Sequence, residues 1–277
     1  SPIQVRNSGM DSESQDNARR ISAYAVEGNA NPGLLIDLFE RSVVSIEAAY
    51  RDLNHTLGWR FLTSPKVTLA LNTGIGLITL NPGGDREVKE HPRASCESGS
   101  SYLEEAWPGS KRGQAPLQRQ IQTMLGALAN HIGDTSPLSR FMNERVLSAQ
   151  FVPFRSPNFK ALPQRKASIA FAQSLWRDVL AHWQPRLLIT MDNQTNASLR
   201  SILAAQPGMR VTQHEKFPTG WGDYQAEVVC LSRADLSRNI TLARLPHLSR
   251  FTLFGRPASE APMHRLLSYL ADGLIQR

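Results

Sequence analysis

Only two cysteines stand among 277 residues, Cys96 and Cys230. So few exclude a disulfide framework and a four-cysteine metal or iron–sulfur site. A reducing, cytoplasmic setting is the expectation that follows. No run approaches the ~18 consecutive apolar residues of a membrane span, so no membrane partner is expected. No secretory signal with an apolar core is seen near the start. There is no internal repeat and no composition break that marks a domain boundary. Charged residues reach only 20% against 41% hydrophobic, which favours a packed core over a disordered chain.

What is present is an excess of positive charge. The formal net charge is +7 and the sequence pI about 9.8. Such a balance favours a polyanionic partner such as nucleic acid. The arginines are dispersed (Arg112, Arg119, Arg155, Arg165, Arg233, Arg244, Arg250 and Arg256). That spacing suits a folded surface tracking phosphates better than a basic tail.

Residues 1–17 read as a disordered or expression-derived leader, with Met10 as a native start. Residues 18–277 read as a single domain that begins with a helical extension. Pro32 opens a helix through Leu34, Leu38, Ile46 and Leu53 by i, i+3, i+4 spacing. Val67–Leu71 and Ile75–Leu80 read as two strands joined by a hairpin at Asn72-Thr73-Gly74. A long polar loop follows Asp85, a length that is often functional. Further helices are expected over 102–107, 117–131, 167–183, 193–205 and 261–276. Strands are expected over 146–154, 187–191 and 240–245, with 211–214 and 226–231 pairing around Gly220-Trp221-Gly222-Asp223. Strands alternating with helices indicate a three-layer α/β/α sandwich with a mostly parallel sheet.

The stretch Gly76-Leu77-Ile78-Thr79-Leu80-Asn81-Pro82-Gly83-Gly84-Asp85 organises the rest. A short apolar run closed by turn residues is a buried strand ending in a sharp loop. Ligands of α/β sheets collect at the carboxyl ends of strands. Asn81 sits at that end, with an amide that both donates and accepts. An ordinary strand-to-loop turn would look the same.

Three more strand ends follow in order: Ala149-Gln150 through Pro157, Leu187 through Met191, and Leu245-Pro246-His247-Leu248-Ser249-Arg250. This ordered set resembles the uracil-DNA glycosylase superfamily over residues 75–256. The first element is similar to the Gly-x-Asn-Pro-Gly motif of the mismatch-specific and single-strand-selective branches. The last resembles the His-Pro-Ser loop, with Leu248 in the proline slot. A gapped alignment puts Pro246 in that slot instead and leaves His247 outside the site.

The resemblance implies a central four-stranded parallel sheet and a monofunctional DNA glycosylase. Such an enzyme hydrolyses an N-glycosidic bond after flipping the nucleotide out of the stack. It needs neither a metal nor an organic cofactor, and a monomer is expected. Asn81 would position the attacking water, with Asp85 as an accompanying carboxylate or a loop cap. His247 would stabilise the departing base, or be a structural histidine. Gln150 stands where a base-reading asparagine is usual, or pairs with backbone. Tyr102 would stack on the base, with Trp107 as competitor, and Leu80 completes the expected base contacts. Arg155, Ser156, Ser249 and Arg250 would contact DNA phosphates.

The substrate is expected to be uracil or a related deaminated base in repair, or a modified cytosine of phage DNA in antiviral defence. A weakly active DNA-binding protein on the same fold, or a nucleoside or nucleotide hydrolase, are the other classes.

Overall fold

In the computed structural model, residues 31–236 and 238–275 are described. The readings made over residues 1–30 lie outside them. Residues from Gly33 onward group as one compact unit.

Helix α1 (Ile36–Asp52) buries Leu38, Phe39, Ser42 and Ile46, so Leu38 and Ile46 of the expected stripe face inward, but it begins at Ile36 rather than at Pro32, and Leu34 lies before it. Strand β1 (Ile75–Thr79) is apolar and buried from Ile75 to Ile78, as a strand covered on both faces must be, and ends in the half-buried Thr79. Helix α2 (Pro116–His131) starts with proline, and the Gln118 side chain reaches back to the Ala115 N–H. Strand β2 (Val146–Gln150) is wholly buried. Helix α3 (Arg165–His182) precedes β3 (Leu187–Thr190). Helix α4 (Asn193–Ala204) is capped by the Asp192 carboxylate, which accepts from the Thr195 N–H. A long hairpin follows, β4 (Met209–Pro218) and β5 (Gln225–Arg233), then β6 (Arg238–Arg244) and the closing helix α5 (Pro257–Ile275).

The sheet order is β2-β1-β3-β6-β5-β4. β2, β1, β3 and β6 run parallel, and β5 and β4 add on antiparallel. The sheet is therefore mixed and has six strands rather than the expected four. The hairpin around Gly220–Asp223 does form, but β5 also pairs with β6, with Glu227 opposite Arg244. Nothing in the polar, exposed β4 announced that it joins the central sheet.

A second correction concerns Val67–Leu71. Lys66–Thr68 is a 3₁₀ turn, and Ala70 bridges Leu34. Gly74 instead leads into the sheet, its carbonyl accepting from the Arg186 and Leu187 N–H groups. The chain before that turn has a further role. Trp59 and Leu62 bridge antiparallel to Phe154 and Ala149, so residues 59–63 cover the outer edge of β2.

Helices α2 and α5 pack one face of the sheet through Ile121, Leu125, Leu266 and Leu270 against Leu77, Ile189 and Ala243. Helix α3, beside α1 and α4, covers the other face. There a Cβ on Gly76 would lie 2.6 Å from the Trp183 ring and 2.8 Å from Leu188, so only glycine lets the helix layer close. No helix among the described residues is long and apolar enough to cross a membrane.

His55 ties α3 to the loop after β2. Its ring stacks on Phe154 at 4.1 Å, and its Nε2 lies 2.9 Å from Ser168 Oγ. Ser168 spends its proton on the Pro163 carbonyl, so His55 donates through Nε2. Its Nδ1 is then a buried atom with no partner among the described residues. Desolvation lowers the pKa to about 4. A folded value below the unfolded one means that full stability is present above about pH 6.5 and is lost as the pH falls towards 4. Urea unfolding at pH 4.5 is expected to give on the order of 2 kcal/mol less stability than at pH 7 from this group. His55→Gln should remove that share of the pH slope.

Candidate functional site

The parallel strands deliver their carboxyl ends to one edge, and the loops leaving β1 and β2 are stitched together there. Phe151 and Val152 donate backbone N–H groups to the Thr79 and Leu80 carbonyls. Gly83 bridges Ser156, and Gly84 N–H reaches the Ser156 carbonyl. Gly84 has φ +131°, a backbone conformation that residues with a side chain rarely adopt.

Asn81 is clamped by this stitching. Its Nδ2 donates to Ser156 Oγ at 2.8 Å and to the Phe154 carbonyl at 3.0 Å. Every hydrogen bond of the side chain runs through Nδ2. The amide is therefore fixed in orientation, with Oδ1 left as an acceptor. Ser156, only 1% exposed, passes its own proton to the Asn158 carbonyl. Arg155 is buried too, donating to the Gly83 carbonyl at 2.6 Å and the Leu57 carbonyl at 3.1 Å. Both residues were expected at a DNA phosphate on the surface. They are instead the struts of the Asn81 loop.

Beside them opens a cleft of about 1130 Å³. Asp85, Tyr102, Trp107, Gln150 and Arg155 all line it, so residues far apart in sequence meet. Gln150 Oε1 accepts from Thr79 Oγ1 at 2.8 Å, which turns Nε2 away from that contact. Tyr102 is 4% exposed and packs edge-on against Trp107, with ring centres 5.9 Å apart. Burial raises the Tyr102 pKa, opposed by its hydrogen bond with Thr79. Asp85 is exposed at the mouth. Asn81 and Leu80 are half-buried and are not among the residues lining the cleft, although Pro82 and Gly83 are.

A buried ionic cluster forms one wall, and the sequence reading passed over it. Arg60 makes two parallel bonds to Glu105, both 2.9 Å, and a third to Cys96 Sγ at 3.0 Å. The Trp107 indole N–H is held by Glu105 at 3.2 Å. Burial pushes the Glu105 carboxyl up, but Arg60 overcomes it and holds the pKa below the usual glutamate value. Burial raises Cys96 to about 11, so its thiol stays protonated and inert. The one signal in the sequence was an arginine set inside the apolar run Trp59–Leu62, a place charges seldom occupy unless paired.

His247, Ser249 and Arg250 do not reach this cleft. They lie on the loop after β6, two strands from β1 or roughly 10 Å along the same sheet edge. A second cleft of about 400 Å³ adjoins that loop, lined by Asp192, Tyr224, Arg244, Pro246 and Phe251 among others. His247 Nδ1 accepts from the Ser249 N–H at 3.2 Å, which leaves the ring proton on Nε2. His247 is exposed on this loop, and what desolvation it has lowers its pKa, opposed by Asp192. Arg250 is exposed, with its guanidinium 5.2 Å from the Phe251 ring centre. Among the described residues, no group of three or more His, Cys, Asp or Glu side chains could hold a metal ion. No family model matches the chain, and no curated protein matches it significantly in sequence.

Proposed function

We propose that the chain is a DNA glycosylase, hydrolysing the N-glycosidic bond of a flipped-out pyrimidine to leave an abasic site. The observation that carries this reading is the clamped Asn81 beside a cleft that presents the Gln150 amide. As the bond between the sugar carbon and the base breaks, its electron pair leaves with the base. The sugar becomes cation-like and accepts a weak nucleophile. A water held by Asn81 Oδ1 suffices, because orientation rather than basicity is what the step lacks. Asp85, at the cleft mouth, is the carboxylate assigned to take the water's proton.

Gln150 reads the base, its Nε2 donating to a carbonyl or ring nitrogen. Tyr102 and Trp107 supply aromatic surface for the flipped ring. His247 lies on the neighbouring loop outside this cleft, so the leaving-group role expected of it is no part of the proposal. The net charge of +7 supports a polyanionic substrate over a small nucleoside.

Phosphate contact falls to exposed cations such as Arg250, because Arg155 is committed to the Gly83 loop. Arg250→Ala is expected to weaken binding about equally across sequences and to reduce the salt slope by about 1. Titration of a labelled duplex at several salt concentrations reads both, and unchanged binding removes Arg250 from the interface. Chromatographic detection of free base released from oligonucleotides tests the function itself.

A further inference from the structure

Breaking the glycosidic bond puts an electron pair on the departing base, and a donor aimed at that charge lowers the barrier. His247 lies outside the cleft, so the donor has to come from the cleft's own lining. Arg60 is spent on Glu105 and Cys96, and Arg155 on two backbone carbonyls. Arg86 and Lys89 line the cleft but are exposed on long, flexible stems. His91 lines the same cleft and is half-buried.

The chain on both sides of His91 is tied down. Its backbone N–H closes a turn on the Val88 carbonyl. Just beyond it, the Arg93 and Ala94 carbonyls accept from the Phe61 and Leu62 N–H groups, which fastens the loop to the segment 59–63. Arg60 orients the ring, its Nη1 lying 3.4 Å from His91 Nδ1. A guanidinium can only donate, so Nδ1 accepts and the ring proton sits on Nε2. Nε2 has no partner among the described residues and is not one of their sealed polar atoms, as Arg60 Nε is. Desolvation lowers the His91 pKa, with Glu105 and Glu90 opposing and Arg60 and Arg155 reinforcing, so the neutral ring predominates at pH 7. Arg155 bonds only to carbonyls, so its charge adds to the field that an anion beside His91 would meet.

We infer that His91, through its Nε2–H, is the catalytic residue that stabilises the departing base. The inference rests on the glycosylase reading of the same cleft and leaves the water-positioning role of Asn81 unchanged. As the bond from the sugar carbon to the ring nitrogen breaks, its electron pair spreads from that nitrogen onto the neighbouring carbonyl oxygen. His91 Nε2–H donates a hydrogen bond to this oxygen and keeps its proton. The base leaves as an anion and is protonated by solvent. The water oxygen bonds to the sugar carbon, and Asp85 takes the water's proton. A neutral imidazole suits the task, because it polarises a carbonyl without transferring a proton to it.

The test uses four duplexes of one sequence, carrying uracil, 5-fluorouracil, 5-hydroxymethylcytosine or 5-formylcytosine. The fluorine and the formyl group withdraw electrons, so each makes a better leaving group than the base it is paired with. Single-turnover release is measured for the wild-type protein, His91→Ala and His91→Gln. His91→Ala is expected to slow release of uracil or 5-hydroxymethylcytosine by ~10²–10³-fold, and of their electron-poor counterparts by at most about 10-fold. His91→Gln, which keeps an N–H donor, should recover at least about 10-fold of the loss. The two bases of a pair are compared within one variant, so a misfolded fraction cancels. Equal slowing of both bases in His91→Ala assigns His91 to structure and overturns the inference. Unchanged release in His91→Ala overturns it too, and in both cases the glycosylase stands. Release of none of the four by the wild-type protein removes the glycosylase reading and the His91 role with it.

Discussion

Asn81→Ala is expected to lower base release by ~10²–10³-fold while DNA affinity stays within about twofold. The amide is held by Ser156 and the Phe154 carbonyl, and its free Oδ1 is the only part assigned to the water. Alanine removes that acceptor together with the Nδ2 bonds that hold the loop, and leaves the phosphate contacts elsewhere intact. Asn81→Asp should not restore or raise the rate. A carboxylate has no N–H to give, so it would set one oxygen against the Phe154 carbonyl and unstitch the loop. Single-turnover kinetics at saturating enzyme separate the loss of chemistry from any loss of binding.

The largest expected effect on stability lies in the ionic cluster. Glu105→Ala leaves the Arg60 guanidinium, 5% exposed, without its carboxylate. Breaking a buried pair from one side typically costs ~3–5 kcal/mol, because the remaining charge is uncompensated. The same change frees the Trp107 indole from its anchor, so the cleft wall loosens as the fold weakens. Removing both partners should cost much less than the single change, since an apolar replacement of a whole buried pair is often near neutral. Denaturant unfolding of Glu105→Leu, Arg60→Met and the double variant Arg60→Met/Glu105→Leu closes the cycle, with Glu105→Ala measured beside it. A loss under 1 kcal/mol for Glu105→Ala would show that the pair is hydrated and not a structural wall.

The helices were legible because their apolar spacing is continuous. The stripes of α1, α2 and α3 fall within a few residues of where the periodicity put them. Of the four parallel strands, β1 and β3 were legible as apolar runs ending in turn residues, and β2 as an alternating run that ends at Gln150 rather than 154. Strand β4 was underread for the opposite reason, since Arg210 through Lys216 is exposed and carries no apolar alternation. Its place beside β5 comes from pairing rather than from burial. The segment 59–63 was missed because it meets β2 through isolated bridges with no pattern of its own.

At the site, Asn81 and Gln150 were visible because each ends a strand in a polar side chain. Arg60 and Glu105 lie 45 positions apart and look like ordinary surface charges until the fold joins them. Arg155 and Ser156 were expected at DNA phosphates from their place just past the second strand end. Their hydrogen bonds to the Gly83 carbonyl and to Asn81 are tertiary, and no local pattern encodes them.

The central claim is that this cleft excises a base. The most direct measurement is the yield of alkali-sensitive abasic sites in DNAs carrying uracil, mismatches and modified cytosines, treated with the wild-type protein and with Asn81→Ala. The account predicts abasic sites in at least one of these DNAs with the wild-type protein and a near-complete loss with Asn81→Ala. No abasic sites from the wild-type protein, or full activity in the variant, would contradict it.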